Sequence, residues 1–148
     1  MALIELLNGP NLNLLGSRET QWYGNVTLKE IIDTMQLSIQ DTPHQLNHFQ
    51  TNAEFKLIER LHQFIDNPVD IIIINPGAWA HTSIALSDAI LAIKIPYIEV
   101  HMSNIYARES FRQHSYLSQH AMGVISGLGA QSYYAALNAA LSYLTPLN

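Results

Sequence analysis

Four short apolar runs, Leu3-Ile4-Glu5-Leu6-Leu7, Ile71-Ile72-Ile73-Ile74, Tyr97-Ile98-Glu99-Val100 and Met122-Gly123-Val124-Ile125, punctuate the chain and are separated by segments of helical spacing. Runs this short do not make helices, and their lack of polar alternation rules out a sheet with one wet face. They fit strands buried on both sides. A weaker run, Gln45 to Gln50, alternates and suits an edge strand. Among the intervening segments, one begins at Thr27 with Glu30 three residues on, a capping box, and carries Leu28, Ile31, Ile32, Met35 and Ile39 on one face. Another runs from Ala53 to Asp66 through Phe55, Ile58, Leu61, His62 and Ile65. Ser83 to Ile93 and Gln131 to Leu144 complete the set, with Asn67-Pro68 and Thr145-Pro146 as stops.

Strict alternation of strand and helix demands parallel strands joined by right-handed crossovers, with helices on both faces. At 148 residues this predicts one domain, residues 1–148, an α/β flavodoxin-like three-layer sandwich with about five parallel strands in the order 2-1-3-4-5. Composition narrows the partners. A net charge of -5 has the wrong sign for a general nucleic-acid or anionic-membrane binder, so no nucleic acid and no membrane are expected. The absence of cysteine excludes a disulfide scaffold, a thiolate nucleophile and a zinc-thiolate site, and a reducing cytoplasm is the expected home. Met1 to Glu5 lacks the basic region and cleavage site of an export signal. The uncharged stretch from Ala121 to Leu144 is broken by Gly127, Gly129, Gln131 and Asn138, and reads as strand, turn and buried helix. Charged residues are only 13% of the chain, about half the roughly 25% of an ordinary soluble domain, which implies that part of the surface is covered in an oligomer.

In a sheet of this kind ligands bind beyond the carboxyl ends of the strands, where the strand order reverses. The first strand is followed by the long loop from Asn8 to Glu19, then Trp22-Tyr23-Gly24, a length that suits a lid. Three of the four arginines, Arg18, Arg108 and Arg112, fall in these strand-end loops although the protein is acidic, and an anionic ligand follows. Asn11, Asn75, His81, Ser103 and Arg112 together suit a small polyhydroxylated acid, while the same residue types also serve as ordinary turn and helix caps. Glu99 and His101 have the parity to share a strand face, which makes either an acid dyad or a packed strand-end histidine. Tyr23 is either a loop anchor or a base, the latter requiring a cation such as Arg18 to favour the tyrosinate.

Competing signals are weaker. Gly127-Leu128-Gly129-Ala130 is an incomplete phosphate fingerprint after the wrong strand, and tight packing explains it. The seven histidines show no metal-ligand spacing, and Ser103 and Ser115 lack a nucleophile elbow. A flavodoxin-like mononucleotide-binding module without catalysis is the rival from another class. It requires a phosphate nest after the first strand, where Pro10 removes an N–H. Lys29 and Lys56 fall in helical segments and Lys94 precedes the fourth strand, so none is placed for an imine.

Three segments in order resemble the type II 3-dehydroquinate dehydratases. They are Leu7-Asn8-Gly9-Pro10-Asn11-Leu12-Asn13-Leu14-Leu15-Gly16 with Arg18-Glu19 and Tyr23-Gly24, then Asn75-Pro76-Gly77-Ala78-Trp79-Ala80-His81-Thr82-Ser83 with Asp88-Ala89, then Glu99 to Arg112 with His114-Ser115-Tyr116. The resemblance implies dehydration of 3-dehydroquinate to 3-dehydroshikimate through an enolate, without cofactor or metal. It implies that Tyr23 is the base, favoured as tyrosinate by Arg18, that Asn11 holds a water on the enolate oxygen, and that His101, oriented by Glu99, protonates the departing hydroxyl. Asn75, His81, Ser103, Arg112 and the backbone at Met102 match the family's substrate-binding positions, and Asp88 matches a residue that reaches the site from a neighbouring subunit. The family's assembly, a dodecamer of four trimers, is implied likewise. Trp79 stands where tyrosine is usual, Met102 where isoleucine is, and Asn52-Ala53-Glu54-Phe55 replaces the usual Asn-His-Glu-Gly.

Overall fold

In the computed structural model, which describes residues 1–145, five parallel strands form one sheet in the order β2-β1-β3-β4-β5. They are β1 (Leu3–Asn8), β2 (Gln45–Gln50), β3 (Ile71–Asn75), β4 (Tyr97–His101) and β5 (Gly123–Ser126). The helices are α1 (Thr20–Tyr23), α2 (Leu28–Ile39), α3 (Glu54–Asp66), α4 (Ile84–Ala92) and α5 (Gln131–Leu144). Alternate residues of the central strands enter two separate cores. Ile4, Leu6, Ile71, Ile73, Ile98 and Val100 pack under α2 and α5, whereas Leu7, Ile72, Ile74 and Tyr97 pack under α3 and α4. The four isoleucines of β3 are fully buried, each contributing about 1.5–3 kcal/mol, which is why β3 sits mid-sheet. The Thr27 hydroxyl accepts the Glu30 N–H at 3.1 Å to start α2, and the Ser83 hydroxyl accepts the Leu86 N–H at 2.9 Å to start α4.

Three expectations change in detail. Asn8 is the last residue of its strand rather than the first of its loop, and Asn75 and His101 carry their strands one residue past the apolar runs, because Asn8 pairs in register with Asn75 and His101 with Ser126. The last strand starts at Gly123, in register with Ile98, and leaves Met122 half exposed outside it. Helix α3 turns a different face inward than expected. Leu57, Leu61 and Phe64 are buried, while Phe55 and Ile65 are 61% and 64% exposed. Both sets obey helical spacing, and the sheet selects the one that reaches Leu7 and Ile72. The Thr145-Pro146 stop lies partly outside the described residues, at Pro146. Among the described residues no helix is long and apolar enough to cross a membrane.

β1 and β3 flank the point where strand order reverses, and their outgoing loops interlock. A Cβ on Gly9 would clash with the Pro76 carbonyl oxygen, and one on Gly77 would meet Pro10 at 3.2 Å. Gly77 also has a φ of 58°, so a side chain there is strained as well as crowded. The two loops touch only because neither glycine has a side chain.

Candidate active site

A cavity of about 120 Å³ opens beside these loops at the carboxyl end of the sheet. Asn11, Arg18, Tyr23, Asn75, His81, His101, Met102, Ser103 and Arg112 line it, joined by Arg108 and by apolar loop residues such as Leu12 and Ile105. Two of the residues singled out in the sequence do not line it. Glu99 lies behind His101, and Asp88 sits exposed on α4. A larger shallow groove runs along α2 and β2 past Asp33, Gln36, His44 and Leu46, and none of the site residues singled out in the sequence lines it.

One wall is an acid. Glu99 and His101 point to the same face of β4, and His101 Nε2 meets Glu99 Oε2 at 2.5 Å. The carboxylate's other oxygen accepts a hydrogen bond from the Ser118 hydroxyl at 2.8 Å. Burial opposes the charge on Glu99, but the hydrogen bond and charge of His101, together with Ser118 and Ser115, hold its carboxyl below the ordinary range. This arrangement commits Nε2 and leaves the other ring nitrogen for a ligand. His81 stacks beside His101 with centroids 5.9 Å apart. Its Nδ1 lies 2.7 Å from the His114 carbonyl oxygen, which can only accept, so Nδ1 carries the proton and Nε2 is an acceptor. Burial and the neighbouring His101 and Arg112 pull the His81 pKa down, against the His114 hydrogen bond, keeping the ring neutral.

The opposite wall is a hydroxyl held by two cations. Arg108 Nη1 donates to the Tyr23 hydroxyl at 2.8 Å, and Arg18 Nη2 donates to it at 3.4 Å, with the Arg18 guanidinium 4.5 Å from the ring centroid. Arg108 comes from the loop after β4 and Arg18 from the segment before α1, so the pair joins the lid to the sheet. Glu19 spans both guanidinia, at 3.5 Å from Arg18 and 3.7 Å from Arg108, and the Trp22 ring lies 5.0 Å from Arg108. Arg108 also donates to the Ser103 hydroxyl at 3.2 Å. The sequence marked Arg108 only as a loop cation. Its role depends on meeting Tyr23 across 85 positions of chain, for which no local spacing is a signal.

Asn11 stands at φ 68°, a left-handed conformation that asparagine tolerates better than most residues. Its N–H donates to the Asn52 side chain at 2.9 Å, tying the β1 loop to the end of β2. Arg112 lines the cavity while donating to Glu109 at 2.8 Å. The glycine turn after β5 is committed to packing. The Gly127 and Gly129 N–H groups donate to the His101 and Met102 carbonyls, which leaves them unavailable to a phosphate. The small cavity and these occupied N–H groups both disfavour a mononucleotide.

Comparison with known proteins agrees with this geometry. The chain is 54% identical over 145 residues, covering 98% of both chains, to a 3-dehydroquinate dehydratase of Ectopseudomonas mendocina. It is 55% identical over 148 residues, covering all of both chains, to one of Thioalkalivibrio sulfidiphilus. The crystal structure of a type II dehydroquinase from Propionibacterium acnes superposes with a TM-score of 0.90 at 39% identity, covering 96% of this chain and 97% of that one. The family described as Dehydroquinase class II matches residues 2–141, and this chain belongs to it.

Proposed function

We propose that this protein, one catalytic domain over residues 1–148, eliminates water from 3-dehydroquinate to give 3-dehydroshikimate, a hydro-lyase reaction of aromatic amino-acid biosynthesis. The observation that carries the reading is a tyrosine hydroxyl gripped by two guanidinia in the same cavity as a carboxylate-backed histidine. Tyr23, as tyrosinate, takes the proton from the carbon beside the ketone, and the C–H electron pair moves to the ketone oxygen as an enolate. Asn11 holds a water that donates to that oxygen. The enolate then reforms the ketone as the carbon–oxygen bond breaks. His101 gives its proton to the departing hydroxyl, which leaves as water. Asn75, His81, Ser103, Arg112 and the Met102 backbone grip the carboxylate and hydroxyls of the substrate. This chemistry needs neither a cofactor nor an imine, and no lysine lines the cavity.

The same reading makes the protein a cytoplasmic dodecamer of four trimers in which Asp88 completes a neighbour's site. Three features support it: Asp88 lies exposed and outside its own cavity, Phe55, Ile84 and Leu91 leave apolar surface on α3 and α4, and charged residues are scarce.

Purified protein given 3-dehydroquinate should show the ultraviolet rise of an enone, and Tyr23→Phe should slow it by orders of magnitude while the fold stays intact. Near-normal turnover in Tyr23→Phe would overturn the base assignment.

A further inference from the structure

We propose that Tyr133, on α5, is a positioning residue for substrate binding: its hydroxyl, anchored on Asn8, fixes the Asn75 amide so that a free N–H of that amide faces an acceptor oxygen of the substrate. The proposal rests on the dehydratase reading for the identity of that substrate. Asn8 and Asn75 end neighbouring strands in register, and their side chains point to the face covered by α5. Tyr133 is fully buried there. Its hydroxyl lies 2.7 Å from Asn8 Oδ1 and 2.7 Å from Asn75 Nδ2.

The directions of these bonds follow from counting protons. Burial pushes the Tyr133 phenol up, so it keeps its single proton. Asn8 Oδ1 can only accept, and the proton goes there. The phenol oxygen must then accept from Asn75 Nδ2. At the other end of the same amide, Asn75 Oδ1 accepts the Gly77 N–H at 3.1 Å. The amide is therefore held at both ends: a flip would set Asn75 Oδ1 against the phenol oxygen, whose proton is committed to Asn8, and the amide NH2 against the Gly77 N–H. One N–H of Asn75 stays uncommitted on a residue that lines the cavity.

Stability alone does not ask for this arrangement. Asn8 keeps its Nδ2 buried with no partner among the described residues, a cost that an apolar pair in place of the two polar groups would avoid. What the unpartnered amide supplies is its carbonyl, the acceptor that sets the direction of the whole chain. Glu99 does for His101 from the α4 side of the sheet what Tyr133 does for Asn75 from the α5 side.

The test is a double-variant cycle in the full-length protein, with rates of enone formation and thermal melts recorded for each variant. Tyr133→Phe keeps the ring and loses the hydroxyl. It should raise KM about tenfold and leave kcat within about threefold, the loss of one orienting hydrogen bond. In an Asn75→Ala background the same substitution should cost nothing further. A folded Tyr133→Phe with KM within about twofold of the unaltered protein overturns the proposal, as do losses that multiply in the double variant, the outcome of a merely structural Tyr133. Should Tyr133→Phe fail to fold, Asn8→Leu breaks the chain at its other end and must give the same rise in KM. If the unaltered protein forms no enone, the dehydratase reading fails. Calorimetric binding of quinate then decides this proposal by itself, with about tenfold weaker binding by Tyr133→Phe expected and unchanged binding fatal.

Discussion

Arg108→Met isolates the electrostatic support of Tyr23, the proposed base. Methionine keeps the length of the stem and its packing against Trp22, but deletes the guanidinium that sits 2.8 Å from the Tyr23 hydroxyl. The Arg108 side chain is 6% exposed against 25% for Arg18, so solvent screens it less. Unit charges about 4 Å apart attract by about 4 kcal/mol at an effective dielectric of about 20, which sets the scale of what Arg108 can give negative charge on that oxygen. Arg18 still faces the oxygen in the variant, and the loss settles near the value of one charge-assisted hydrogen bond, about 1.5–3 kcal/mol. That converts to a rate lower by about ten- to a hundredfold or slightly more. Initial rates of enone formation at saturating substrate should show this drop at neutral pH. A kcat within about threefold of the unaltered protein at neutral pH would refute the reasoning.

Three further outcomes follow from the structure. The depressed pKa of Glu99 stabilises the fold fully above the ordinary value of 4.5, and that stabilisation is lost as pH falls through the lower folded-state value. Glu99→Gln should therefore show a shallower fall of Tm below about pH 4.5, and an equally steep acid limb would contradict it. The segment from Arg18 to Tyr23 hangs between Gly16 and Gly24, both at positive φ, so trypsin should cut after Arg18 in free protein and a quinate-like acid should protect it. Equal cleavage with and without the acid would count against a closing lid. Sedimentation should give a mass far above 16.6 kDa, in a multiple of three chains, and a fully active monomer would exclude a shared site.

Parallel pairing was legible because the runs at β1, β3 and β4 are short, largely apolar on both faces and alternate with helical segments, and about five strands at this length pointed to the observed order. The proximity of Glu99 and His101 followed from strand parity alone. What the chain did not disclose depends on contacts between distant segments. Arg108 resembled any other loop cation until the fold brought it to Tyr23. Asn8 was read as part of a loop, and Tyr133 lay unremarked within the helical segment from Gln131 to Leu144, with nothing local to show that its hydroxyl reaches two strand ends. The inward face of α3 was ambiguous because Phe55 and Ile65 repeat as regularly as Leu57 and Phe64. Local pattern fixes the helix, and only the sheet beneath it chooses the side.

The reciprocal fit of Gly9 against Pro76 and Gly77 against Pro10 bears on how the protein can change. A methyl group at position 9 cannot be absorbed by a rotamer, since what it strikes is backbone on the neighbouring loop. The strain would drive the ends of β1 and β3 apart and carry Asn11 and Asn75 with them in opposite directions. No substitution at position 77 can compensate, because that glycine is already the smallest residue. Substitution at position 9 is therefore closed and at position 77 strained, and diversification of this pocket has its freest course through the loop after β4 and the lid.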